Sequence, residues 1–229
     1  VHVDFPARLA EICASVGVKR LVHVSALGAS LTHPSKYFRT KAEGDAAVKA
    51  AFPEATIVKP AKLIGTEDRF LNVFAEHTVK FPATPLVDDG GSKLQPVFVD
   101  DVALAIQAIV EDPETAGKEY HLAGDKTYTV EELLKYTQFL IRAQNPRILY
   151  VPSFILRLLA TPHEALLKRV PLPPPKPTGL TYSYIDAQGE AYRKPPKAPG
   201  FAQHGPPPAH QEGADVAYPR RSRSQGHAA

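Results

Sequence analysis

Tyr37 and Lys41 stand four residues apart, and Ser25 closes the apolar run Arg20-Leu21-Val22-His23-Val24. On a helix, residues four apart share one face, so Tyr37 and Lys41 can point at the same bound molecule. A phenol beside an ammonium, with a serine hydroxyl opposite, is a proton-transfer arrangement. The cation favours the phenolate and is expected to lower the tyrosine pKa toward working pH. The pair alone is weak. With nine tyrosines and 27 Lys and Arg, about one such pair arises by accident, and the ordinary reading is a solvated helix face.

The elements around the trio give it context. Residues 5–16 read as a helix, with Leu9, Ile12, Cys13 and Val16 at helical spacing and Gly17 as the stop signal. Leu21 to Val24 reads as a short buried strand of the parallel type. Ser25 then falls at the carboxyl end of that strand, where open α/β sheets place ligands. The Tyr37/Lys41 helix continues to Pro53, and Ala55-Thr56-Ile57-Val58 is the next buried strand, ended by Lys59-Pro60. Arg69 to Ala75 reads as helical and Gln95 to Val99 as a strand. Asp100-Asp101 is expected to cap a helix from Val102 to Val110. Tyr120 to Ala123 is a further strand, and Thr129 with Glu132 forms a capping box. This alternation argues for a doubly wound α/β sheet.

Composition sets limits. The net charge of +3 is too small to argue for nucleic acid. The single Cys13 excludes a disulfide framework, which suits a reducing compartment, and reads as a buried structural thiol. His23, His33, His77, His121 and His163 are too scattered for a metal site and read as surface or packing residues. Asp88-Asp89 and Asp100-Asp101 read as a turn and a helix cap. No apolar run is long enough to span a bilayer. The chain opens Val1-His2-Val3-Asp4 and contains no methionine, so it reads as a processed product or an incomplete sequence. No Gly-x-Gly-x-x-Gly or Gly-x-x-Gly-x-x-Gly phosphate loop is present, and Asp89-Gly90-Gly91-Ser92 is only a turn signal.

Three regions follow: 1–151 as the α/β domain, 152–170 as an amphipathic docking helix, and 171–229 as a proline-rich tail. Phe154, Ile155, Leu158 and Leu159 form an apolar stripe that Leu166 and Leu167 extend, flanked by Arg157, Lys168 and Arg169. It suits a membrane surface or a partner helix. The tail carries Pro171-Leu172-Pro173-Pro174-Pro175 and Pro206-Pro207-Pro208 and ends in Arg220-Arg221-Ser222-Arg223. It reads equally as a disordered tail or as an arm ordered on a large partner.

The order of these elements resembles the extended and atypical short-chain dehydrogenase/reductase (SDR) superfamily from the middle of its domain onward. Gly17-Val18-Lys19-Arg20-Leu21-Val22-His23-Val24-Ser25 is similar to the run that delivers its active-site serine. Ser25, Tyr37 and Lys41 match its catalytic positions. Lys59-Pro60 with Gly65 is similar to its nicotinamide-side loop, where Arg is usual before the proline. Pro96 to Ala103 resembles its late strand-to-helix motif. Three further runs are more specific: Ser35 to Ala42, Ala51 to Pro60 with its Phe52-Pro53-Glu54-Ala55, and Gly65 to Asn72 with its Glu67-Asp68-Arg69-Phe70-Leu71-Asn72. Together they resemble the SDR-like accessory subunits of mitochondrial NADH:ubiquinone oxidoreductase (complex I).

The resemblance implies the C-terminal portion of a Rossmann-type SDR fold, with the N-terminal part of the domain missing. It implies a bound NADPH contacted by Ser25, Tyr37, Lys41, Lys59, Pro60 and Ile64, with Lys41 on the nicotinamide ribose and Tyr37 near the ring. It implies a stabilising, non-catalytic role at the matrix side of the inner membrane, with matrix-arm and quinone-region subunits as partners. The intact trio keeps a second reading open, an active NAD(P)-dependent reductase or sugar-nucleotide epimerase.

Overall fold

In this computed structural model residues 1–156 and 158 are described. The sequence places two helix–strand units first, and the structure has them as α1 (Asp4–Ser15), β1 (Val22–Val24), α2 (Lys36–Ala51) and β2 (Thr56–Pro60). Gly17 ends α1 at φ +73°, a conformation that costs a residue without Cβ little. Its neighbour Val18 donates back to the Cys13 carbonyl at 2.9 Å.

A three-stranded parallel sheet is built in the order β1, β2, β7, where β7 is Glu119–Leu122. Alternation along these strands sends opposite faces to different helices. Ile57 of β2 meets Ala10 of α1 and Val48 of α2. Val58 and Leu122 meet Val102 and Ile109 of α4 (Val99–Glu111). With helices on both faces, the doubly wound arrangement follows.

The segments between β2 and β7, and after β7, build a smaller lobe. It comprises β3 (Leu63–Ile64), α3 (Leu71–Lys80), β4 (Thr84–Val87), β5 (Lys93–Leu94), β6 (Val97–Phe98), β8 (Tyr128–Thr129), α5 (Val130–Leu140) and β9 (Ile148–Val151). β3 pairs β6 and β4 pairs β9, both parallel, whereas β5 pairs β8 antiparallel. Phe70, Phe74, Leu86, Leu94, Val130, Leu133 and Leu134 fill its core. The capping box opens α5: Thr129 Oγ1 accepts from the Glu132 amide at 3.1 Å, and Glu132 Oε2 accepts from the Thr129 amide at 2.7 Å.

Several expectations are corrected. Leu9, Ile12 and Val16 do not face the core; α1 turns Ala10 and half-buried Cys13 inward and leaves those larger residues exposed. A Cβ at Gly44 of α2 would run into the His2 carbonyl oxygen, so the chain just before α1 lies close against that helix. Asp100 and Asp101 do not cap α4; its N-cap is Phe98 and both acids sit in the first turn, where they complement the helix dipole. The strand expected over 95–99 shortens to Val97–Phe98, because Pro96 has no amide proton and Val99 already begins α4. The helix expected at 69–75 runs from Leu71 to Lys80, its first amides gathered by the Asp68 carboxylate, which accepts from Leu71 at 2.6 Å and Phe70 at 2.7 Å.

Of the apolar stripe, Phe154, Ile155 and Leu158 are exposed, whereas Leu156, outside the stripe, packs on Val87. The rest of the expected docking helix and the whole tail at 171–229 lie outside the described residues. Among the described residues no helix is long and apolar enough to cross a membrane.

Candidate functional site

Ser25 continues the ladder beyond β1, its amide donating to the Val58 carbonyl at 2.7 Å. Its side chain is only 5% exposed. The hydroxyl donates to Asp45 Oδ2 at 2.8 Å. Asp45 lies on α2 one turn after Lys41 and two turns after Tyr37, so one helix face carries all three. Alternation brings His23 and Ser25 of the first strand, Lys59 of β2, and Glu119 and His121 of β7 to the sheet face under that helix.

A charge network results. Asp45 Oδ1 meets His23 Nε2 at 3.3 Å, and Lys59 Nζ lies 3.5 Å from Asp45 Oδ2 and 2.6 Å from Glu119 Oε1. His121 Nε2 completes it at 2.9 Å from the same Glu119 oxygen. Burial alone would raise the Asp45 carboxyl. Hydrogen bonds from His23 and Ser25, with the Lys59 charge, outweigh burial and hold it below its ordinary value. Glu119 is likewise held down: the Lys59 and His121 contacts overcome its desolvation.

An ionised Asp45 accepts hydrogen bonds and donates none. Ser25 has one hydroxyl proton, and that proton is committed to Asp45. Toward any ligand Ser25 therefore offers lone pairs only, not a donor for a carbonyl oxygen.

Tyr37 and Lys41 are placed differently. Lys41 Nζ donates to the Val24 carbonyl at 3.4 Å, at the carboxyl end of β1. Tyr37 stands edge-on to the His2 ring at 5.4 Å and to Phe38 at 5.1 Å. Its hydroxyl has no partner among the described residues. Burial pushes its pKa up from the ordinary value. The expected lowering by Lys41 does not occur, because desolvation of the phenolate outweighs a neighbour that is itself turned to a backbone carbonyl. Lys41 instead helps, after burial, to hold His2 below its usual pKa.

This donor set could meet the sugar hydroxyls of the expected nicotinamide cofactor. The Tyr37 hydroxyl and the two remaining Lys41 protons have no partner among the described residues and lie on one helix face. The ring chemistry would be the cofactor's own. Lys59 is engaged by two carboxylates, so its ammonium serves the sheet. The Pro60 carbonyl accepts from the Leu27 amide at 2.8 Å, and Ile64 lies in β3 against the α3/α5 core. The structure thus joins Ser25 to Lys59 through Asp45 and places Tyr37 with Lys41, while Ile64 belongs to the smaller lobe's edge.

Sequence reasoning missed Asp45, His23, Glu119 and His121 as one cluster. Two signals were available: Asp45 repeats the four-residue spacing after Lys41, and His23 alternates with Ser25.

No protein-family model matches the chain. It is 41% identical over 172 residues to NADH dehydrogenase (ubiquinone) 1 alpha subcomplex subunit 9, mitochondrial, of Arabidopsis thaliana, a match spanning 75% of this chain and 42% of that protein. The protein of the same name from Mus musculus is 42% identical over 137 residues, spanning 59% and 36%. The chain thus spans roughly two fifths of the length of these relatives. Among solved structures, a dTDP-glucose 4,6-dehydratase from Bacillus anthracis in complex with NAD superposes with a TM-score of 0.57 at 20% identity, over 66% of this chain and 55% of that one. That likeness establishes the Rossmann-type α/β fold.

Proposed function

We propose, from homology to the alpha subcomplex subunit 9 proteins, that this chain is part of an accessory subunit of mitochondrial complex I that holds NADPH without turning it over. Sequence identity to those proteins supports membership of the assembly and a mitochondrial location. The reading places the subunit on the matrix side of the inner membrane, stabilising the matrix arm near the quinone-binding region. The observation that carries the non-catalytic part is the Ser25–Asp45 hydrogen bond of 2.8 Å. A carbonyl substrate needs a donor at that position, and the donor is spent inside the protein. The raised Tyr37 pKa acts in the same direction, since a phenol that keeps its proton is a hydrogen-bonding group before it is a base. Lys41 is then retained as a grip on the nicotinamide ribose and Tyr37 as a binding residue near the ring.

The pairing of Tyr37 with Lys41 on one face of α2 motivates a second reading, an active NAD(P)-dependent reductase or sugar-nucleotide epimerase. Purification separates the two. The accessory-subunit reading predicts co-migration with a membrane complex in mild detergent and release of NADPH on denaturation. A soluble protein that turns NADPH over with a carbonyl or sugar nucleotide, and stops when Tyr37→Phe is made, would sink it.

A further inference from the structure

His2 precedes α1, and its backbone lies against α2 at Gly44, where an added Cβ would meet the His2 carbonyl oxygen. Tyr37, Thr40 and Gly44 stand three and four residues apart on α2 and form one strip along it. From Gly44 the half-buried His2 side chain runs back along that strip. Its Nδ1 lies 3.0 Å from Thr40 Oγ1, and its ring stands edge-on to the Tyr37 ring at 5.4 Å. Phe38 also meets the Tyr37 ring edge-on, at 5.1 Å.

The hydrogen bonds fix the tautomer of this histidine. Thr40 donates its hydroxyl proton to the Tyr37 carbonyl at 2.9 Å, so Thr40 Oγ1 accepts from His2 Nδ1–H. In the neutral ring Nε2 is then a bare lone pair. His2 thus reaches Tyr37 twice, ring to ring and through Thr40 to the Tyr37 backbone. The charged groups that face the imidazole are Lys41 of α2 and the Val1 amino group, both cations. Among the described residues no carboxylate pairs with it. Burial first, and then these two charges, keep its pKa below the ordinary 6.5.

We propose that His2 is a positioning residue for Tyr37: as the neutral ring bonded to Thr40, it sets the orientation in which α2 offers the Tyr37 hydroxyl to a ligand. Protonation converts Nε2 from an acceptor to a donor and puts a second cation beside Lys41. Repulsion then drives the imidazolium off the strip, and Tyr37 loses its support. The site holds its ligand at neutral pH and loosens in acid. The effect on nucleotide retention rests on the NADPH reading, whereas the positioning of Tyr37 does not.

The test follows the Tyr37 ring by NMR in the full chain with isotope-labelled tyrosine, its signal assigned by its loss in Tyr37→Phe. On acidification from neutral pH the Tyr37 signal is expected to move with a midpoint below 6.5 that coincides with the His2 imidazole's own titration. His2→Asn keeps an amide donor for Thr40 and removes the titrating ring, so Tyr37 should stay still across the same range. His33 packs on Phe38 at 4.6 Å, and the His2→Asn control separates the two imidazoles. In a nucleotide-release assay at neutral pH, His2→Ala should weaken NADPH retention about five-fold, the worth of one neutral hydrogen bond. His2→Asn should keep most of the retention and lose its fall in acid. A Tyr37 signal that ignores the His2 titration, or moves equally in His2→Asn, overturns the proposal. A chain that binds no NADPH at any pH contradicts the nucleotide reading instead, and the Tyr37 signal still decides the role of His2.

Discussion

Replacing Asp45 with alanine tests the network beneath α2. Asp45 is almost fully buried and holds Ser25 at 2.8 Å, His23 at 3.3 Å and Lys59 at 3.5 Å. Removing one partner of a buried ion pair costs roughly 3–5 kcal/mol when the remaining charge is stranded. Lys59 is not stranded, since Glu119 stays at 2.6 Å. The main loss is then the charge-assisted Ser25 bond, about 1.5–3 kcal/mol, with a further contribution from His23. A destabilisation of about 3 kcal/mol is expected, read as a lower urea midpoint with unchanged slope. The pH dependence is a sharper readout. Asp45 binds its proton less tightly folded than unfolded, so its contribution is present above its ordinary value of 3.8 and is lost as pH falls through the depressed folded value. The gap between wild type and Asp45→Ala should be constant from neutral pH to mildly acid and close below that. An unchanged midpoint at pH 7, or a gap that persists undiminished in strong acid, would refute the network's role.

Gly44→Ala should cost about 1–3 kcal/mol through overpacking against the His2 carbonyl, seen as a lower thermal midpoint. Thr129→Ala should remove the capping box of α5 and cost about 1 kcal/mol by urea titration, with Thr129→Ser recovering most of it. Tyr37→Phe should leave stability unchanged, because the hydroxyl has no partner among the described residues. It should weaken NADPH retention about ten-fold in a nucleotide-release assay, the worth of one hydrogen bond.

The sheet and its helices were legible because their signals are local: the apolar runs that form β1 and β2, and the Thr129/Glu132 box; β1 is less buried than expected, with Val22 and His23 half-buried and Val24 exposed. The smaller lobe was harder to read. β4 contains Pro85 and pairs with β9, and β5 is two residues long and pairs with β8, so nothing nearby in sequence announces them. On α1, periodicity finds an apolar stripe but cannot say which of its residues the neighbouring elements cover: Ala10 is buried, while Leu9, Ile12 and Val16 are exposed. Tyr37, Lys41 and Ser25 could be found by spacing. What spacing could not supply was the direction of the Ser25 hydroxyl, which depends on Asp45, nor the partners of Lys59, one of which lies on β7. The pKa of Tyr37 turned on its burial against His2, a contact between the chain's start and α2.

The central claim is that the site holds a nicotinamide nucleotide in an assembly and does not cycle it. The most direct measurement is the nucleotide released by denaturing the tagged full chain, recovered from mitochondria in mild detergent, together with NADPH oxidation by the same sample before denaturation. The account predicts NADPH released in about equal amount to the chain, within a large membrane complex, and no oxidation attributable to Tyr37. A nucleotide-free chain, or a soluble one whose NADPH turnover disappears in Tyr37→Phe, would contradict it.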